Sequence, residues 1–204
     1  MAEPYLRRSP LAHRGLAAKA AADTGGAEFI MGERAHRLQI DLRGDLDDAV
    51  FTAAVHGATG LRLPAEANRF SVAGDLAGLW LGPNEWLVTG PRGREADMTA
   101  RLLTAFAATH AAAIDVSEAR TVIVAAGPRA RDVLAKGISL DLHPRLFGPG
   151  HCAQTGLAGA NIILRQLDSV PSFDIHVLDS FAEHLWQWLE GAAREFRIAV
   201  RSFS

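Results

Sequence analysis

His151 and Cys152 come nearest to a nucleophile with its base in the 204-residue sequence. Adjacent residues of a strand point to opposite faces, so the two do not naturally form a thiolate–imidazolium couple, and Cys152 reads as a buried structural residue. Asp115, Glu118 and Arg120 are the densest polar set inside an apolar strand region. They could grip the amine or carboxylate of a small substrate, or close on themselves as an Arg–carboxylate ion pair at a bulge or strand edge. Trp80 and Trp86 flank a turn, where they could stack on a flat ligand or pack into a core or interface. Trp186 lies beside the apolar stripe of its helix, a place that suits an interface hot spot or a core margin. The sequence has no Gly-x-Ser-x-Gly, His-Glu-x-x-His, Walker lysine loop or complete dinucleotide fingerprint. Its eight His are scattered, without ligand spacing, and one Cys cannot build the usual multi-Cys zinc site or an internal disulfide.

Hydrophobic periodicity locates the elements that must position these residues. Leu38, Ile40 and Leu42 alternate as a half-buried strand. Asp45 can cap a helix with Leu46, Ala49, Val50, Ala53 and Ala54 on one face, which Gly57 ends. The stretch 58–78 reads as mostly irregular. Leu79-Trp80-Leu81 and Trp86-Leu87-Val88 flank Gly82-Pro83-Asn84 as a hairpin, and Met98, Leu102, Ala105 and Phe106 mark an amphipathic helix. The order then repeats. Residues 114–125 read as a strand, Gly127-Pro128 introduces a helix that Gly137 terminates, and 152–157 and 161–167 form two strands around Ala158-Gly159-Ala160. Phe173, Ile175 and Val177 alternate. Ser180-Phe181-Ala182-Glu183 is a capping-box pattern opening a helix with Phe181, Leu185, Trp188, Leu189, Ala192 and Phe196 on one face.

The fold class expected is therefore α+β, built as two similar β-α-β-β-α modules over 36–111 and 112–204 that share a core. Residues 1–35, with Pro4, Pro10 and the small-residue run 17–22, suit either a frayed terminus or an arm that orders on a partner through Tyr5 and Leu6.

Composition narrows the function. A net charge of −2 argues against an electrostatic nucleic-acid binder. All but Lys19 and Lys136 of the 21 cations are Arg, a skew that matches genome composition better than phosphate binding. No apolar run approaches the ~20 residues a membrane span needs. The first 14 residues lack a secretory core, which leaves the cytoplasm as the default location.

Several motifs carry a resemblance. Ile114-Asp115-Val116-Ser117-Glu118-Ala119-Arg120 through Gly127-Pro128-Arg129-Ala130 resembles the aminomethyltransferase (glycine-cleavage T-protein) signature. Leu79-Trp80-Leu81-Gly82-Pro83-Asn84-Glu85-Trp86-Leu87, Leu140-Asp141-Leu142-His143-Pro144, Cys152-Ala153-Gln154-Thr155 and Leu185-Trp186-Gln187-Trp188-Leu189 together resemble the gamma subunits of heterotetrameric sarcosine oxidase, over about residues 36–197. The resemblance implies a T-protein, folate-binding-type fold with no cofactor of its own. It implies alpha, beta and delta partner subunits that hold FAD, FMN, NAD, tetrahydrofolate and zinc. It also implies an assembly that oxidises sarcosine to glycine, with hydrogen peroxide and formaldehyde or methylenetetrahydrofolate as further products. T-proteins carry a catalytic Asp in the hairpin after a Gly-Gly turn. The matching stretch here, Gly159-Ala160-Asn161-Ile162, has no carboxylate, and Asn161 lacks the charge to stabilise a developing cation. The expectation is a non-catalytic subunit of an oxidase complex. The alternative is a self-standing folate-binding protein or folate-dependent transferase.

Overall fold

The computed structural model of the chain describes residues 7–21 and 25–203. A short 3-10 turn and helix α1 (Leu16–Ala21) precede strand β1 (Phe29–Arg34). Strand β2 (Leu38–Arg43), helix α2 (Ala49–Thr59), strands β3 (Phe70–Ala73), β4 (Leu76–Gly82) and β5 (Glu85–Gly90), helix α3 (Glu95–Ala105) and strand β6 (Ala112–Asp115) follow. Next come β7 (Arg120–Ala126), α4 (Ala130–Ala135), β8 (Cys152–Leu157), β9 (Ala160–Asp168), β10 (Ser172–Leu178), α5 (Asp179–Ala192) and β11 (Ile198–Val200).

These strands form two sheets. One is antiparallel with the order β3-β4-β5-β2-β6; the other runs β11-β1-β7-β10-β9-β8, and β1–β11 is its parallel pair. Each sheet is apolar on the side its helices cover. Trp86, Val88, Leu42 and Ile40 pack with Phe51 and Val55 of α2 and Met98 and Leu102 of α3. Phe173, Ile175, Val177 and Leu164 pack with Val133 and Leu134 of α4 and Leu185 and Leu189 of α5. Between the sheets Leu79, Leu87, Cys152 and Ile163 make a smaller cluster. The result is a helix–sheet–sheet–helix stack.

Several expected elements are placed differently. The chain changes sheet twice, and both changes fall inside stretches the pattern presented otherwise. Residues 114–125 divide into β6 in one sheet and β7 in the other, joined by the turn 116–119. Both strands are apolar, so periodicity alone cannot see the turn between them. Residues 29–34, inside the stretch expected to be a frayed terminus or a partner-ordered arm, form β1 next to β7, and Leu11 is fully buried in the same core. Tyr5 and Leu6 lie outside the described residues. The stretch 58–78 contains β3 and the start of β4.

Helix α2 begins at an Asp48 cap whose carboxylate accepts from the Val50 N–H at 2.8 Å, and it runs past Gly57 to Gly60. Its buried face is Phe51, Val55 and Thr59, while Val50 is exposed. Asp45 instead closes a local turn onto the Asp47 N–H. At α5 the face rotates by about one position, which buries Ala182, Leu185, Trp186 and Leu189 and leaves Phe181 exposed. No side chain caps that helix. Glu183 is drawn away from the helix start by Arg14, His13 and Gln187.

The N-terminal segment packs on its own chain. Arg14 forks between Glu183 (Nε–Oε2 2.9 Å) and Glu190 (Nη1–Oε2 3.0 Å) beside the Trp186 ring. The last residues run close over β1, where a Cβ on Gly32 would stand 2.3 Å from the Arg201 carbonyl oxygen. Only glycine admits that approach.

Candidate functional site

The sequence-derived candidates separate into three environments. Trp80 and Trp86 face each other across β4 and β5 on the helix-covered side. Trp86 is fully buried and its indole N–H donates to the Pro64 carbonyl at 2.9 Å; Trp80 is partly buried against the same cluster. Trp186 is also fully buried, its N–H donating to Glu190 at 2.9 Å. It belongs to the α4–α5 core cluster, with Arg14 over its ring, so the structure gives it a packing role within the chain rather than an interface role. Neither Trp86 nor Trp186 offers a face on which a ligand could stack.

Asp115, Glu118 and Arg120 surround the 116–119 turn without pairing. Asp115 accepts from the Ser117 N–H at 3.0 Å and hydroxyl at 2.6 Å, closing the turn. Glu118 pairs with Arg7. Arg120 contributes its backbone carbonyl, which accepts from Gln39 Nε2 at 2.8 Å. The three surround a crossover between sheets, each with a different partner. Asn161 is exposed at the start of β9, beyond the Ala158-Gly159 turn.

The polar concentration that the structure does build lies between the sheets. Along β10 the residues that alternate with the apolar face are Asp174 and His176, both buried. Asp174 accepts from Arg165 Nε at 3.0 Å and Nη2 at 2.6 Å, and from Arg34 Nε at 3.2 Å. Burial opposes its charge, yet Arg165 and Arg34 hold the carboxyl below its ordinary range.

His176 is locked by Gln39. The Gln39 amide N–H donates to the Arg120 carbonyl, which fixes its Oε1 as the acceptor, 3.1 Å from His176 Nδ1. His176 therefore carries its proton on Nδ1, and its buried Nε2 has no partner. Burial first, and Arg165 second, depress this imidazole to about 3, so it is neutral at physiological pH. Arg37 stands at the edge of the group, half-buried, its charge disfavoured by burial and by Arg34.

Sequence reasoning missed this set. Its trace was present in Phe173-Asp174-Ile175-His176-Val177, whose polar positions look solvent-directed until a second sheet is known to cover them. Cys152 belongs to the same seam. Its thiol donates to the Arg69 carbonyl at 3.1 Å, and burial pushes it up to about 11, away from nucleophilic use. His151 turns to Gly148 and Arg69 instead. Among the described residues no group of three or more His, Cys, Asp or Glu could hold a metal ion. No described helix is long and apolar enough to cross a membrane.

Residues 43–195 match the family model described as the sarcosine oxidase, gamma subunit family. The sarcosine oxidase gamma subunit of Corynebacterium sp. strain U-96 is 36% identical over 197 residues, covering 95% of this chain and 93% of that protein. The gamma subunit from Arthrobacter sp. is 34% identical over 192 residues, 94% of this chain and 92% of its own length. Among solved structures, a chain of heterotetrameric sarcosine oxidase from Corynebacterium sp. U-96, in complex with pyrrole 2-carboxylate, superposes with a TM-score of 0.84 at 34% identity, covering 98% of this chain and 100% of that one. The glycine cleavage system aminomethyltransferase T from Bartonella henselae shares the fold, at a TM-score of 0.69 and 16% identity over 97% of this chain and 60% of that one.

Proposed function

The chain belongs to the sarcosine oxidase gamma subunit family, and we propose that it works as the non-catalytic gamma subunit of a heterotetrameric oxidase. The carrying observation is the end-to-end match to one chain of such a heterotetramer, with no unmatched domain on that side. In this reading its partners are alpha, beta and delta subunits. Those partners bind FAD, FMN, NAD, tetrahydrofolate and zinc, in the cytoplasm, and oxidise sarcosine to glycine. This chain supplies a rigid body for assembly and no reacting group.

The site geometry favours assembly over chemistry. The thiol at position 152 is pushed up to about 11 and the imidazole at 176 down to about 3, so neither can exchange a proton near neutral pH. The position that matches the T-protein acid is an exposed Asn. The indole of Trp86, one candidate platform for a folate ring, lies under α2 and α3. The division of the chain into an N-terminal arm and a two-module body is modified within this proposal. The body is the helix–sheet–sheet–helix stack, and the segment 9–21 is a strap on it.

Affinity capture of the chain from its own cells, followed by gel filtration and an absorption spectrum, tests the proposal. One co-eluting peak with a flavin band, absent from the chain alone, is expected. A chain that elutes by itself, or that turns over a one-carbon donor unaided, would overturn it.

A further inference from the structure

A second basic feature lies where helix α1 and residues 201–203 meet the β1–β2 crossover. A cleft of about 440 Å³ opens there, with Arg37, Arg92 and an already engaged Arg201 on its walls and Leu16, Pro91 and Phe203 supplying apolar surface. Its one acidic residue, Glu33, is already engaged, accepting from the Ser9 hydroxyl at 2.5 Å and the Thr121 hydroxyl at 2.6 Å. Among the described residues neither Arg37 nor Arg92 makes a hydrogen bond or ion pair. Behind Arg37 stand Arg34 and Arg165, with Asp174 as the carboxylate both of them bind.

A half-buried guanidinium beside two others raises the local potential, and an anion entering the cleft lowers it. His36, which also lines the cleft, turns the chain from β1 into Arg37 with a left-handed φ of 56°, a conformation that His adopts more readily than most non-glycine residues.

We propose that this cleft receives a carboxylate-bearing, partly apolar segment of a partner subunit, gripped by Arg37 and Arg92. The proposal rests on the hetero-oligomeric reading and adds the surface and chemistry of one contact. Arginine forks match carboxylates in a two-pronged geometry and are enriched where protein interfaces are tightest. The apolar wall of Leu16, Pro91 and Phe203 calls for more than a bare anion. Arg92, exposed at the rim, can meet an incoming chain before it seats.

The test uses the assembled complex, co-expressed with its large subunits. Arg37→Gln together with Arg92→Gln is expected to weaken assembly about tenfold or more and remove most of its salt dependence. Arg101→Glu, on the exposed face of α3, is the control and is expected to leave both unchanged. Circular dichroism of each variant checks that the fold is intact, and the single exposed change Arg92→Gln keeps the test valid if Arg37→Gln unfolds. A wild-type chain that never joins the large subunits overturns this inference and the proposed function together. Wild-type assembly that both Gln variants reproduce, with the same salt slope, overturns this inference alone. Binding of benzoate to the isolated chain that Arg37→Gln abolishes, with assembly unaffected, marks a site for free carboxylates and also overturns it.

Discussion

The six-stranded sheet turns Phe173, Ile175 and Val177 toward α5 and turns Asp174 and His176 toward the other sheet. On the helix side, shape and apolar area hold the layers together, and each side chain contributes nearly independently. Between the sheets, a carboxylate, the two guanidiniums of Arg34 and Arg165 and a neutral imidazole hold a fixed register, and each depends on the rest. Two sheet faces that were both apolar could slide or open. Gln39, tied to Arg120, Ser117 and His176, sets one angle and one register. Specificity of stacking is thus concentrated in the seam, and bulk stability in the two outer cores.

The largest effects test that division directly. Trp186→Ala and Asp174→Asn are each expected to cost about 3–5 kcal/mol, one by leaving a cavity and the other by stranding the buried Arg165 without its anion. The two regions should part company in double variants. Trp186→Ala combined with a distant core change such as Leu102→Ala should add, whereas Arg165→Met with Asp174→Leu should cost less than Asp174→Leu alone. Urea midpoints at constant m measure both cycles. Additive seam variants would erase the distinction.

Acid gives an intermediate effect and sharpens the contrast. His176 is held near 3 in the folded chain against an ordinary value of 6.5, so between those limits the unfolded chain binds a proton that the folded one does not. Stability therefore falls as pH drops, by up to ~1.4 kcal/mol per pH unit, or roughly 2–3 kcal/mol from pH 6 to pH 4. Asp174 has a depressed carboxyl, so its contribution is present above its unfolded value of 3.8 and is lost only at lower pH. The two windows overlap only between 3.8 and about 3, so above pH 4 the His176 effect stands alone. Stability measured against pH for wild type and His176→Gln should differ in slope by about one proton between pH 6 and 4. Parallel curves would mean that the seam tolerates an imidazolium.

The same contrast explains what was legible in the sequence. The hairpin of β4 and β5, the β8–β9 pair, β10 and the helix at Met98–Phe106 follow from apolar spacing, because outer cores impose a period of two or 3.6. The crossover at 116–119 and the pairing of β1 with β7 depend on contacts far apart in the chain, which periodicity does not encode. Asp115, Glu118 and Arg120 stood out by local density, yet their partners are Ser117, Arg7 and Gln39. Asp174, Arg165 and His176 did not stand out, because a polar residue on an alternating strand has the same pattern whether water or another sheet faces it. The Trp and carboxylate candidates stand out within single elements, whereas the seam is assembled from strands of both sheets.

Helix starts give the smallest effects and show how a local motif yields to a distant one. Asp48 caps α2 through the Val50 N–H and also takes the Thr109 hydroxyl, which ties α2 to the segment after α3. Asp48→Ala should lower Tm by roughly 2–4 °C, and Asp45→Ala, which removes only a local turn contact, by less. At α5 the Ser180–Glu183 pattern is intact in sequence but unused, since Ser180 is exposed and Glu183 is bound by Arg14. That contact holds the Glu183 carboxyl at about 2, so it persists in mild acid that loads the unfolded His176. Ser180→Ala should leave Tm unchanged, and Arg14→Ala should instead make the segment 9–21 sensitive to brief proteolysis while the sheets stay resistant. If Ser180→Ala proved as damaging as Asp48→Ala, α5 would be held by its cap, and the strap formed by Arg14 would lose its part in anchoring that helix.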